Sequence, residues 1–312
     1  MAVPYLRPRL AQRIREKKMQ LDHRRPLPRA ALAHLREELA VEWTYHSNAI
    51  EGNTLTLRET RLVLEHGITV AGKSLREHLE ARNHAEAITA LERFVHTRRP
   101  IVERDILDIH AIVVKGIEEE FAGRYRTGQV RITGASLIPP NAAVVPERMA
   151  AFTRWLRRNP DRLNPVTLAA FTHYEFVAIH PFFDGNGRTA RLLMNLILMR
   201  HGYPPAVVPV TDRKRYYAAL EAANRGDRRP FVNLMAQYVE RMLTRYLDAV
   251  GSAPDDGDLL SLARLAPKTP YTAGYLSLLA RRGELAAEKR GKTWYASPQA
   301  VEEYRRRRLC VP

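Results

Sequence analysis

Apolar residues recur every three or four positions along most of the chain, and that period predicts helices. Leu32, Leu35, Leu39 and Trp43 set one between about residues 28 and 45, after a shorter basic piece at 10–21. Stretches 57–65 and 75–96 follow, separated by a turn from Gly67 to Gly72; the second carries Leu75, Leu79, Ala87, Ile88, Leu91 and Val95 as a core stripe. His78, His84 and His96 lie on or near that stripe without a metal-ligand spacing, so they read as structural. Further helices are predicted at 103–115, 147–158, 164–179, from Asn186 or Gly187 to Met199, at 213–225 and at 230–249. The apolar runs Leu168–Ile179 and Leu192–Met199 bracket a loop holding Pro181, Gly185 and Gly187.

The helical period fails in two places. Across 123–145 Gly123, Gly128, Gly134, Pro139 and Pro140 punctuate the chain, which predicts two short strands with a turn. Gly251–Gly257 is small, acidic and contains Pro254, which predicts a linker. Beyond it the expected order is a short helix at 259–265, a turn at Pro267–Pro270, a helix at 271–281, a hairpin over 285–296 turning at Gly291, and a helix after Pro298. The expected division is an N-terminal helical region (1–100), a core (101–250) and a C-terminal unit (257–312).

Composition narrows the class. A chain of 312 residues, 45% hydrophobic, is long enough for a full core. No apolar run approaches the roughly 20 residues that span a bilayer. The basic N-terminus lacks the apolar stretch of a secretory signal, and one cysteine, Cys310, leaves no internal disulfide; both fit a reducing cytoplasm. Lys plus Arg number 50 against 34 Asp plus Glu, a formal charge of +16. That excess suits an anionic partner, nucleotide or nucleic acid, or else a solvated arginine-rich surface.

The chemistry concentrates in His180-Pro181-Phe182-Phe183-Asp184-Gly185-Asn186-Gly187-Arg188-Thr189-Ala190-Arg191. The helix opening at Asn186 turns free N–H groups and its positive dipole end toward a loop with two glycines, a ready anion cradle. Arg188 and Arg191, three apart, share a helix face and can hold one polyphosphate. Asp184 can hold a divalent cation against those phosphates, and His180 can exchange a proton near neutral pH.

This stretch resembles the Fic family signature, His-Pro-Phe-x-Asp-Gly-Asn-Gly-Arg-x-x-Arg, at all nine fixed positions. The resemblance implies a mainly helical fold with a β-hairpin flap over 123–145 that holds the target segment extended. It implies transfer of AMP from ATP to a Ser, Thr or Tyr hydroxyl of a target protein. Kinase-like relatives of the Doc branch carry Lys where this chain has Gly187, which favours nucleotidyl transfer over phosphate transfer. In the implied roles His180 is the base, Asp184 holds Mg²⁺, and the Gly185–Gly187 N–H groups stabilise the α-phosphate. Asn186 fixes the loop and contacts phosphate, while Arg188 and Arg191 orient the β- and γ-phosphates.

Ser47-Asn48-Ala49-Ile50-Glu51-Gly52 matches a second family pattern, in which the glutamate pairs with the second signature arginine, here Arg191. Glu51 would then take the donor that the γ-phosphate needs; otherwise it is a surface carboxylate at a helix end. The segment after Arg213 resembles the one whose Tyr and Asn line the adenine pocket, implicating Tyr217 and Asn224, or else a helix packed through Tyr217 and Leu220. The C-terminal order is that of a winged helix-turn-helix, with Arg281, Arg282, Lys289, Arg290 and Lys292 available to DNA phosphates or to a protein or dimer interface. The implied reading is an autoinhibited adenylyltransferase, in some relatives also removing AMP and often dimeric through the core. The rival is a DNA-binding regulator that senses nucleotide without turnover, against which the intact His180 argues.

Overall fold

The computed structural model describes residues 5–27, 29–97, 99–132, 134–251 and 259–309. All but Gly251 of the expected 251–257 linker, and Cys310, lie outside the described residues. The fold is mainly helical. In order come α1 (Pro8–His23), α2 (Arg29–Ile50), α3 (Leu57–His66), α4 (Leu75–His96), α5 (Glu103–Val113), α6 (Val145–Arg158), α7 (Pro165–Ile179), α8 (Asn186–Arg200), α9 (Arg213–Asn224) and α10 (Arg229–Ala249). After these come β1 (Leu260–Ser261), α11 (Leu262–Leu265), α12 (Ala273–Arg282), β2 (Glu288–Arg290), β3 (Thr293–Ala296) and α13 (Pro298–Leu309). No helix among the described residues is long and apolar enough to cross a membrane.

The chain forms two compact units, one from the residues up to Glu16 with Leu39–Leu243, the other from Lys17–Glu38 with the chain from Thr244 onward. In the first, α7 and α8 are the centre, which explains their sequences. Ten of the residues of α7 and twelve of α8 are buried, so neither helix keeps a polar face. α4 and α5 pack on α8, and α6 and α9 on α7. Helix starts are set locally: Thr56 with Glu59, and Ser74 with Glu77, close capping boxes, and Asn164 caps α7 ahead of Pro165. Two histidines of α4 are structural: His78 bridges Ser74 O and Val70 N, and His84 is fully buried beside Thr44; His96, at the end of the helix, is exposed.

The helices form where the period puts them, with α2 extending to Ile50. The segment 123–145 does not. Among its described residues no strand pairing forms, and the expected hairpin is replaced by irregular chain. The reason is Arg126, buried to 2% exposure, whose guanidinium donates to three carbonyls: His180 O (2.8 Å), Gly128 O (3.0 Å) and Pro140 O (2.5 Å). Arg126 N also donates to Pro181 O at 2.9 Å. The segment is thus tied to the signature loop instead of to itself.

In the second unit a three-stranded antiparallel sheet has the order β1-β3-β2, with Leu260 opposite Ala296 and Glu288 opposite Tyr295. The start of the expected 259–265 helix is strand, because Leu260 and Ser261 pair with the inner strand β3. Leu262, Leu265, Leu276, Leu279, Leu285, Val301 and Tyr304 make its core.

Candidate active site

Three local features aim the loop between α7 and α8. α7 ends on His180 in the left-handed conformation (φ 50°, ψ 60°), and Pro181 follows. Asn186 then ties the loop together, its Oδ1 accepting from Phe182 N (3.0 Å) and its Nδ2 donating to Phe182 O (2.8 Å). Gly185 turns with φ 76°, and a Cβ there would lie 3.1 Å from Val114 Cγ1 and 3.3 Å from His110 Cδ2, so conformation and space both require glycine. α8 starts without a side-chain cap, leaving its first N–H groups for an anion.

His110 escaped the sequence pattern, where it is one residue of an ordinary helix. Its ring lies flat on Phe182, centroids 3.5 Å apart and planes within 7°. Nε2 donates to Asp184 O (3.0 Å) and Nδ1 accepts from Gly123 N (3.1 Å), so one neutral tautomer satisfies both. Burial keeps that ring neutral, with its pKa lowered to about 4. Burial also lowers the pKa of His180, against the opposing pull of the Val177 carbonyl. At pH 7 the His180 ring is therefore neutral and able to accept a proton.

Asp184 Oδ1 accepts from Gly185 N (2.5 Å), and Oδ2 takes Arg76 Nη2 (2.5 Å) and Arg188 Nη2 (3.1 Å). Burial pushes this carboxyl up, but Arg188, the Gly185 N–H and Arg76 outweigh it and hold it below the usual carboxylate range. Among the described residues no group of three or more His, Cys, Asp or Glu is arranged to hold a metal. One ionised carboxylate beside an anion cradle is instead the donor set of a cation shared with phosphate oxygens, which is how Mg²⁺ is commonly held. Arg76 is about half exposed there and also pairs with Glu80 and Glu118.

Arg188 and Arg191 are each 2% exposed. Arg188 Nε and Nη1 and Arg191 Nη1 have no hydrogen-bond partner, though Glu80 Oε1 lies 3.4 Å from Arg188 Nη1. Three buried, cationic donors left open around an uncapped helix start describe a site for a polyanion.

A carboxylate stands in that site. Glu51 Oε1 is 2.8 Å from Arg191 Nη2, and Ser47 holds the same guanidinium through Oγ to Nε (3.0 Å) and through its carbonyl to Nη2 (2.7 Å). Burial works against the Arg191 charge, but Glu51 first and Tyr216 after it outweigh burial, and the Arg191 pKa is raised. A Cβ on Gly187 would lie 2.1 Å from Glu51 Oε1, so the carboxylate rests on the first turn of α8. The turn that carries Glu51 is pinned from two sides. Asn48 Nδ2 donates to Glu80 O (3.2 Å), Asn53 Nδ2 to Glu77 O (3.1 Å) and Glu80 Oε2 (2.8 Å), and Arg213 Nε to Ile50 O (2.8 Å).

The remaining two candidates sit on α9. Tyr217 is 38% exposed, not core, and its hydroxyl reaches Ile50 O at 3.4 Å, next to Glu51. Asn224 lies two turns further on the same face and donates to Glu221, which also receives Ser136 of the irregular segment. The buried tyrosine of this helix is Tyr216, at 2% exposure. The structure thus gathers Ser47, Glu51, His180, Asp184, Gly185, Asn186, Gly187, Arg188, Arg191 and Tyr217, with Asn224 at the far end of α9.

The Fic/DOC family profile matches residues 100–198. The protein adenylyltransferase Fic of Drosophila persimilis is 40% identical over 232 residues, covering 74% of this chain and 45% of that protein. The chain spans about half the length of the curated relatives it matches. A solved Fic protein of C. elegans is 38% identical, with a TM-score of 0.70 over 77% of this chain and 72% of that one. A Fic family protein from Desulfovibrio desulfuricans, 25% identical, gives a TM-score of 0.62 over 94% of this chain and 96% of that one.

Proposed function

The chain belongs to the Fic/DOC family, and from that premise we propose that it is an autoinhibited protein adenylyltransferase, moving AMP from ATP to a Ser, Thr or Tyr hydroxyl of a target protein. The observation that carries this reading is the set of open donors of Arg188 and Arg191 at the start of α8, beside a neutral His180. His180 takes the proton of the target hydroxyl as its oxygen attacks the α-phosphorus. The bond from that phosphorus to the bridging oxygen of the β-phosphate breaks, and pyrophosphate leaves. N–H groups of Gly185–Gly187 meet the α-phosphate oxygens, and Arg188 and Arg191 orient the outer phosphates. Asn186 acts chiefly by holding the loop, since both its polar atoms are engaged with Phe182. Asp184 would hold Mg²⁺, which offsets phosphate charge when bound. Tyr217 offers its face to adenine at the rim, with Asn224 on the same helix face.

Glu51 is the brake, and the α2 residues Ser47 to Ile50 with Glu51 form the inhibitory element. While Glu51 holds Arg191, a γ-phosphate loses one donor and meets a like charge. The target lands on the 123–145 segment, whose described residues pair with no strand. The second unit acts as a winged helix-turn-helix. Exposed Arg281, Arg282, Lys289 and Lys292 on α12 and the β2–β3 turn suit DNA phosphates. A cytoplasmic site of action fits a single cysteine.

The test is label transfer with Mg²⁺ and ATP labelled at the α- or the γ-phosphate, on the parent, Glu51→Gly and Glu51→Gly/His180→Ala. Label from α-labelled ATP alone, raised by Glu51→Gly and abolished by His180→Ala with ATP binding retained, is expected. Label from γ-labelled ATP would make the chain a kinase and overturn the reading.

A further inference from the structure

Two arginines of different standing hold the carboxylate of Asp184. Arg188, four residues further along the chain, is 2% exposed and reaches Oδ2 at 3.1 Å. Arg76 comes from the first turn of α4, 108 positions away in sequence, and reaches the same oxygen at 2.5 Å with a side chain that is 49% exposed. Arg76 has other acceptors at hand. Its Nε lies 3.4 Å from Glu80 Oε1 and its Nη1 3.4 Å from Glu118 Oε1, both longer than its bond to Asp184. One guanidinium thus spans three carboxylates and draws closest to the one that would hold Mg²⁺.

The helix that carries Arg76 does not account for its position. Ser74 caps α4 and Glu77 closes the capping box, so Arg76 lies at the positive end of the helix dipole, where a cation is disfavoured. Carboxylates outside that turn offset the cost. They also set Arg76 in competition with any other cation for Asp184. Each carboxylate oxygen has two lone pairs. Oδ2 engages both, with Arg76 and Arg188, and Oδ1 engages one with Gly185 N. A divalent cation that takes Oδ2 must displace a guanidinium, and two cations on one partly buried carboxylate repel each other. Arg188 is enclosed, so Arg76 is the one that leaves, with Glu80 and Glu118 still within its reach. The phosphates of ATP bring the further oxygen ligands and the negative charge that tip this exchange toward the metal, and a bare metal ion brings neither.

We propose that Arg76 is an internal counter-cation that occupies Asp184 in the nucleotide-free chain, so that divalent metal enters the site in company with nucleotide phosphates and not ahead of them. The inference rests on the adenylyltransferase reading, in which Asp184 holds Mg²⁺ when ATP is bound. Arg76 touches neither the target hydroxyl nor the α-phosphorus, so its effect belongs to the affinity and order of metal binding. It is distinct from the Glu51 brake: Glu51 holds a donor meant for phosphate, and Arg76 holds the ligand meant for the metal.

The experiment titrates Mn²⁺ into the nucleotide-free full chain and reads the free ion by electron paramagnetic resonance, in the parent, Arg76→Ala, Asp184→Asn and Arg76→Ala/Asp184→Asn. Arg76→Ala is expected to bind Mn²⁺ about fivefold more tightly than the parent, the upper end for an exposed ion pair, and the double variant to lose that gain. Arg82→Ala removes a positive charge from an exposed position of the same helix and is expected to stay within about twofold of the parent. Unchanged Mn²⁺ affinity in Arg76→Ala would overturn the proposal, as would a gain that survives Asp184→Asn or is matched by Arg82→Ala. Calorimetry of ATP with and without Mg²⁺, in Glu51→Gly and Glu51→Gly/Asp184→Asn, tests the premise. If Mg²⁺ adds nothing to ATP binding, or Asp184→Asn keeps all that it adds, the metal role of Asp184 falls and takes the proposal with it. If the Mg²⁺ effect depends on Asp184 and Arg76→Ala leaves Mn²⁺ binding unchanged, the proposal alone fails.

Discussion

Replacing Glu51 is the most direct perturbation of the proposed brake, and its size follows from the geometry. The pair at 2.8 Å joins a buried guanidinium to a carboxylate whose side chain is 34% exposed. A hydrogen bond to a charged group contributes about 1.5–3 kcal/mol, and the partial exposure of Glu51 argues against a larger value. If the braked state is favoured by about 2–3 kcal/mol, the productive state is populated at roughly 0.6–3%. Glu51→Gly would then raise kcat/KM for AMP transfer by roughly 30- to 160-fold. Glu51→Gln keeps the shape and one neutral hydrogen bond, so its gain would be smaller, about five- to tenfold. The assay is the initial rate of label transfer from α-labelled ATP onto the target, or onto the chain itself, over a range of ATP concentrations. Rates within twofold of the parent in both variants would refute the argument. So would a gain in Glu51→Gln equal to that in Glu51→Gly, because the charge would then be irrelevant.

Three further outcomes follow from the same contacts. Gly187→Ala places a methyl group where Glu51 Oε1 lies 2.1 Å away, so the carboxylate must retreat; apparent ATP affinity should rise severalfold by calorimetry in the parent and show no gain in a Glu51→Gly background, a non-additivity that marks a shared mechanism. Arg213→Ala removes the donor that holds Ile50 O at 2.8 Å and loosens the turn carrying Glu51; a transfer rate about threefold to tenfold higher is expected, again only while Glu51 is present. His180 must be neutral to act as base, and burial lowers its pKa from the ordinary value near 6.5. In Glu51→Gly, kcat/KM should therefore stay level from pH 8 to about 6.5 and fall only below that, whereas a midpoint above 7 in the pH–rate profile would remove His180 from that role.

Helices were legible because each one carries its own evidence. The stripe of α4 and the continuous apolarity of α7 and α8 are local patterns, and the structure needs nothing more to place them. The signature loop was legible for a related reason: Asn186 closes on Phe182, four residues away, and Gly185 is demanded by its own φ. Legibility ended where a residue's role is set by a distant partner. The 123–145 segment has the composition of a hairpin, yet Arg126 directs it onto His180 and Pro181, a contact that no local rule encodes. His110 looks like any residue of α5 until Phe182 and Asp184 arrive from the other end of the core.

Tyr216 and Tyr217 show the limit most sharply. Adjacent tyrosines on a helix point in different directions, and the period of α9 does not say which of them faces the core. The segment's resemblance selected Tyr217, and the structure leaves it 38% exposed beside the Glu51 turn. Tyr216 is the one that is buried, against His173 of α7 and Phe231 of α10. What decides between them is the arrival of α7 and α10 behind α9.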